Sequence, residues 1–129
     1  MSREILFKAK RKDNGEWVEG GYFSEPYTEK KFIICWNSFG LGFNEFIEVE
    51  PDTICQYTGL TDKNGKKIWE NDIVVLDGAC GRFVCKWADY IAQFIFENNF
   101  SSSDFVCYRG AEIEVVGNVF DNEDLSEVE

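Results

Sequence analysis

The sequence predicts an all-β fold: a small meander or barrel-like domain, with an SH3-like barrel preceded by an additional N-terminal hairpin as one candidate. Three observations predict it. Apolar and polar residues alternate with a period of two along much of the chain. Turn signals rich in Gly, Asn and Asp recur at intervals of about 8–12 residues. No helical period of useful length interrupts them. The 129 residues suit one domain, 1–129, in which 121–129 form an acidic C-terminal tail.

The elements follow in order. Arg3–Arg11 sets Ile5, Phe7 and Ala9 on one face and Glu4, Lys8 and Lys10 on the other, with Leu6 the exception. Asp13-Asn14-Gly15 turns the chain, and Glu16–Phe23 returns as the second strand of a hairpin. Lys31–Trp36 (KFIICW) is a third strand. Asn37–Phe46 reads as an irregular loop, because Gly40 and Gly42 interrupt Phe39, Leu41, Phe43 and Phe46. Its apolar side chains need cover, from the core or from a partner. Pro51 lacks a backbone donor, so the next strand begins only after it or lies at an edge.

Asn64-Gly65 predicts a tight hairpin turn with both residues at positive φ. Ile73–Leu76 is a β-branched run that reads as a buried strand. Arg82–Trp87 alternates, and Ile91–Phe96 is apolar apart from Gln93. Asn98–Asp104 reads as a polar loop. Phe105–Tyr108 and Glu112–Phe120 complete the sheet, and Gly117 predicts a bulge or bend in the last run. Asp121–Glu129 forms a helical turn or frays.

Composition narrows the chemistry. The net charge of −11 disfavours general binding to nucleic acid. Histidine is absent, which removes His-based triads and His metal ligands. No apolar run reaches the roughly 18 residues of a membrane span, so no membrane association is expected. The five cysteines, Cys35, Cys55, Cys80, Cys85 and Cys107, have no C-x-x-C spacing. Free thiols in a reducing cytoplasm are expected, and no metal or other cofactor. The charge is also uneven. Residues 1–12 hold five cations against Glu4, a balance of +4, which leaves −15 for the other 117. From Glu112 onward there are seven acidic residues and no basic one. The two ends invite each other, within one molecule or between copies.

Residues 55–75 read CQYTGLTDKNGKKIWENDIVV. This stretch resembles the signature of the YopX family of phage and prophage proteins. The resemblance extends to Arg3–Ala9, Asn14–Val18, Gly20–Tyr22 and Glu114–Asn122, but not to 24–54 or 88–110. Asn71 stands where the family has Gly. Asn enters positive φ more cheaply than other side chains, so the turn is expected to survive. Asn122-Glu123-Asp124-Leu125 lacks the family's Pro. The resemblance implies a phage or prophage accessory protein of the bacterial cytoplasm, and implies no enzyme, substrate or cofactor.

Within the signature, Asp62 and Asp72 could form an acid/base or cation site, or each could serve a turn by accepting local backbone donors. The turn reading is the commoner use of such residues. Gln56, Tyr57, Thr58 and Gly59 could present a recognition surface or satisfy the hairpin they precede. Phe39, Leu41, Phe43, Phe94 and Phe96 are the interface candidates, because Ile91–Phe96 and the aromatic loop hold more apolar surface than one small domain easily hides. The functional expectation is a non-enzymatic protein-binding module that forms homo-oligomers, with a host or phage protein as a further partner. The alternatives are an inhibitor of a host defence or regulatory protein, acting as an acidic DNA mimic, and a nucleic-acid-associated protein.

Overall fold

The computed structural model describes residues 5–36, 44–78, 81–98, 102–104 and 112–122. Among them the regular structure is β-strand apart from short 3-10 turns, as the alternation predicts. The chain divides into two compact units, Met1–Tyr57 and Thr58–Glu129.

The first unit holds β1 (Phe7–Lys10), β2 (Trp17–Ser24), β3 (Lys31–Trp36), β4 (Asn44–Glu48) and the start of β5 (Cys55–Thr61). Their order in the sheet is β4-β3-β2-β1-β5, and the neighbours run antiparallel. The hairpin turn between β1 and β2 falls where Asp13-Asn14-Gly15 predicts it: Gly15 N–H donates to Arg11 O at 2.9 Å and Asn14 Oδ1 accepts from Glu16 N–H at 2.9 Å. Ala9, Ile33, Ile47 and Val49 form the buried core, and Phe7, Val18, Cys35 and Ile54 pack against it. Gly20 is required at this core. A Cβ on it would lie 2.1 Å from the Ile34 carbonyl oxygen.

The sheet curls. Arg11 and Val49 form an isolated bridge, Lys12 N–H donates to Glu48 O at 3.0 Å, and Glu50 N–H donates to Lys10 O at 2.9 Å. These bonds tie the end of β4 to the end of β1. The curl stops there, because Pro51 has no donor to continue a ladder and the chain enters a 3-10 turn, Pro51–Thr53, instead. Thr53 Oγ1 accepts from Lys10 N–H at 2.9 Å in that turn. The all-β expectation holds, and the curled sheet stops short of a closed barrel among the described residues, since the strand order ends at β4. Pro51 also delays the next strand to Cys55, as expected.

The second unit holds the rest of β5, β6 (Lys67–Trp69), β7 (Asp72–Leu76), β8 (Phe83–Ala88), β9 (Gln93–Glu97), β10 (Ser102–Asp104) and β11 (Ile113–Asn118). β6 follows β5 in its sheet, and the other five strands run β10-β9-β8-β7-β11. Ile68, Val74, Leu76, Phe83, Cys85, Phe96 and Ile113 make its core. Ile73 and Val74 are both fully buried on β7, so that strand is covered on both faces, as its β-branched run predicts. The register of β11 against β7 shifts between Val115 and Gly117, at the bulge that Gly117 marks.

Two elements differ from expectation. Phe46 belongs to strand β4 rather than to a loop, because Asn44–Glu48 finds a full partner ladder on β3. Ser102–Asp104, expected as loop, pairs with Ile95–Glu97. The strand expected at Phe105–Tyr108 and the end at 123–129 lie outside the described residues. Cys35, Cys55 and Cys85 are free thiols, and Cys80 and Cys107 fall outside the description. Burial pushes the Cys35 thiol up, with Glu45 adding to the effect.

Candidate functional site

The signature stretch folds as β5, a turn, β6, a second turn and β7. Gln56 pairs with Phe7, and Tyr57, buried, donates its N–H to Leu6 O at 2.9 Å. Thr58 Oγ1 donates to Ile68 O at 2.7 Å and accepts from Leu60 N–H at 3.3 Å, so this hydroxyl serves its own hairpin. Gly59 takes φ 94° within β5.

Asp62 organises the hairpin turn. Its Oδ1 accepts from Asn64 N–H and Lys66 N–H, both at 2.9 Å, and its Oδ2 accepts from Val115 N–H at 2.9 Å. One carboxylate thus shapes the turn and fastens β11 to it. Its main chain closes the turn as well: Gly65 N–H donates to Asp62 O at 3.0 Å, and Asp62 N–H donates to Lys66 O at 2.7 Å. Burial pushes this carboxyl up. The backbone donors of Val115, Lys66 and Asn64, with the Lys66 charge, more than offset it and hold it below the usual carboxylate range. Gly65 has φ 84°, but Asn64 is not among the residues at positive φ, which corrects the expectation of a turn with two such residues. The loop between Asp62 and Lys66 has three residues, Lys63, Asn64 and Gly65, so Gly65 alone takes the left-handed conformation and Asn64 stays in ordinary backbone space. Gly65→Val is expected to cost about 1 kcal/mol or more, because a β-branched residue resists φ 84°. An unchanged urea midpoint would contradict that turn.

Asp72 serves the next turn, where its Oδ2 accepts from Trp69 N–H at 2.8 Å. Asn71 holds φ 73°, so the substitution of Asn for Gly keeps the left-handed turn. Its N–H donates to Cys85 O at 2.7 Å, and its carbonyl accepts from Val119 N–H at 3.1 Å. Asp62 and Asp72 are the two buried charged residues among those described, and both accept from backbone N–H groups of their own turns. Among the described residues no group of three or more Cys, Asp or Glu is placed to hold a metal ion.

A second locus lies on the first unit, on the sheet face opposite its core. Phe23 and Phe32 are cross-strand partners, and Phe46 sits diagonally from Phe32, opposite Ile34. The three rings stand 6.0–6.4 Å apart, centroid to centroid. Phe46 is 55% exposed and Phe23 38%. On the same face the Nζ atoms of Lys8 and Lys10 lie 4.6 and 5.4 Å from the Trp17 ring centre. Beside Phe46 runs an open groove of about 410 Å³, lined by Arg11, Lys12, Asp13, Glu45, Phe46, Ile47 and Glu48. Arg11 bonds both oxygens of Asp13, at 2.9 and 3.0 Å, and Lys12 reaches Glu48 at 3.4 Å.

The interface candidates fare differently. Phe96 is fully buried in the second core, which corrects its placement at an interface: β9 is covered on both faces, with Phe96 on the core side and Ile95, also buried, on the other. Phe94 is half-buried and meets Trp87 edge to face at 5.1 Å. Phe39, Leu41 and Phe43 lie outside the described residues. Phe23, Phe32 and Phe46 were not legible as a cluster, since only the strand register brings them together.

A family model described as YopX protein matches residues 6–127. The chain belongs to the YopX family. No curated protein matches it. Among solved structures it is similar to the crystal structure of protein EF1440 from Enterococcus faecalis, at 27% identity and a TM-score of 0.58. That likeness covers 98% of this chain and all of the other. The part of this YopX chain with the long signature, Cys55–Val75, is also the part that supplies both buried carboxylates. No helix among the described residues is long and apolar enough to cross a membrane.

Proposed function

We propose that this YopX-family chain is a phage or prophage accessory protein that works by binding protein rather than by catalysis, and that its contact surface is the outward aromatic face of β2–β4. The observation that carries the reading is the cluster of Phe23, Phe32 and Phe46, with Phe46 more than half exposed. Apolar ring surface left in water costs free energy that a partner's cover would relieve, and contiguous exposed aromatics mark contact sites. The signature does not compete for this role. Its carboxylates hold turns together, and Thr58 bonds its own hairpin.

Site-specific photo-crosslinking tests the proposal. A photoreactive phenylalanine replaces Phe46 in one variant and Tyr90, which is 80% exposed on the second unit, in another. Both are produced in host cells of a phage or prophage carrying the gene. The proposal expects a discrete protein adduct from position 46 and none from position 90. Adducts of equal yield from both positions, or an adduct with nucleic acid at 46, would contradict it.

A further inference from the structure

We infer that the open edge of β4 at Phe46 receives an extended segment of another protein, which adds to the sheet as a strand, sets an apolar side chain beside the Phe46 ring and gives Glu45 a basic partner. The inference rests on the protein-binding reading of that face and says how the partner is held. β4 is the last strand of its sheet. Along a strand, the backbone groups of successive residues point to alternate sides. Val49 N–H donates to Lys31 O beside β3 at 3.0 Å, so Glu48 and Phe46 turn their N–H and C=O the other way. At Glu48 that side is filled, because its carbonyl accepts from Lys12 N–H at 3.0 Å. At Phe46 it is open: among the described residues nothing bonds its N–H or C=O. The groove, lined by residues of β4 and of the turn after β1, lies at this edge. An unpaired edge is a template for a further strand, whose main chain supplies the bonds.

Two features say what the added strand carries. Phe46 projects from the outward face, so the residue added opposite it stands on that face too, next to an exposed ring that an apolar side chain covers. The next residue of the added strand falls opposite Glu45. Arg11 holds Asp13 and Lys12 holds Glu48, which leaves Glu45 as the groove's carboxylate without an ion pair among the described residues. A Lys or Arg opposite it supplies that pair. β4 of a second copy does not meet these terms. With Phe46 opposite Phe46, its Asn44 would need the place beside Glu48 that Lys12 fills. The next register, which clears Lys12, sets Glu45 opposite Glu45, and like charges directly opposite repel.

Two end-blocked peptides test it: Thr-Lys-Val-Lys-Phe-Lys-Val-Thr, and the same sequence N-methylated at Phe and both Val residues. Methylation there removes the main-chain donors that would face β4 and keeps every charge and side chain. Each peptide is titrated into the isotope-labelled full chain, and the amide chemical shifts are followed. The first peptide is expected to shift the amides of Phe46 and its neighbours, and the methylated one to bind about tenfold more weakly, as the loss of main-chain bonds requires. Glu45→Gln, at an exposed position, should weaken the first peptide about threefold, the scale of an exposed ion pair. Equal affinity for the two peptides overturns the inference, since a merely cationic ligand would show that against a chain of net charge −11. So does no binding of the first peptide, or shifts that spare Phe46. Each of these results leaves the photo-crosslinking test of the aromatic face undisturbed.

Discussion

Asp62→Ala is expected to cost about 4–5 kcal/mol of folding stability at pH 7, the low end for three charge-assisted bonds of about 1.5–3 kcal/mol each, because the donors are only part-buried and water can reach them in the variant. Three amides lose their acceptor at once, those of Asn64, Lys66 and Val115. Two belong to the turn and one to β11, so the loss reaches across the second unit's sheet. Urea unfolding at equilibrium measures it. Asp62→Asn separates charge from shape, because the amide keeps one oxygen but turns donors toward donors. The pH dependence has a definite sign. The folded carboxyl sits below its usual range. Its contribution is therefore complete above the unfolded value of about 3.9 and is lost as pH falls through the folded value. The gap between wild type and Asp62→Asn should narrow below about pH 4. A constant gap down to pH 2 would contradict the assigned role.

Gly20→Ala is expected to destabilise the first unit by about 3 kcal/mol or more, at the upper end of the overpacking range. The added Cβ would stand 2.1 Å from the Ile34 oxygen and 3.2 Å from the Ile33 Cγ2. The oxygen is backbone in a paired strand, so relief requires β2 and β3 to separate. Gly21→Ala is the control: its nearest neighbour outside the adjoining residues would be 3.9 Å away, and it should cost far less. Equal midpoints for the two variants would contradict the close approach at Gly20.

Much of the fold was legible because local rules agreed with it. Alternation marked β1 and β2, Asn14-Gly15 marked their turn, Gly117 marked the bulge, and Pro51 marked the late start of β5. Asn71 kept its left-handed turn for the reason its chemistry suggests. What was not legible depends on pairing over distance. Phe46 looked like loop because two glycines precede it, and only the β3 ladder makes Asn44–Glu48 a strand. Phe96 looked available to a partner because alternation cannot show which apolar face of a strand a neighbour covers. The third acceptor bond of Asp62 joins residues 53 positions apart, so the sequence showed its turn role but not its hold on β11. The aromatic cluster needs three strands in register, and no single stretch of sequence contains it.

On the proposed function, the signature maintains the fold while the outward face of β2–β4 makes the contact. One comparison tests it most directly: the yield of co-purifying protein, a second copy included, for Phe23→Ser/Phe46→Ser against wild type, from the same host cells. Urea midpoints measured in parallel establish that both are folded. Both rings are partly exposed and neither belongs to the core cluster, so the double variant should stay folded, with a loss of about 1–3 kcal/mol from the ring contacts and burial given up. Its partner yield should fall at least tenfold. A variant that stays folded and recovers the same partner in the same yield would contradict the account.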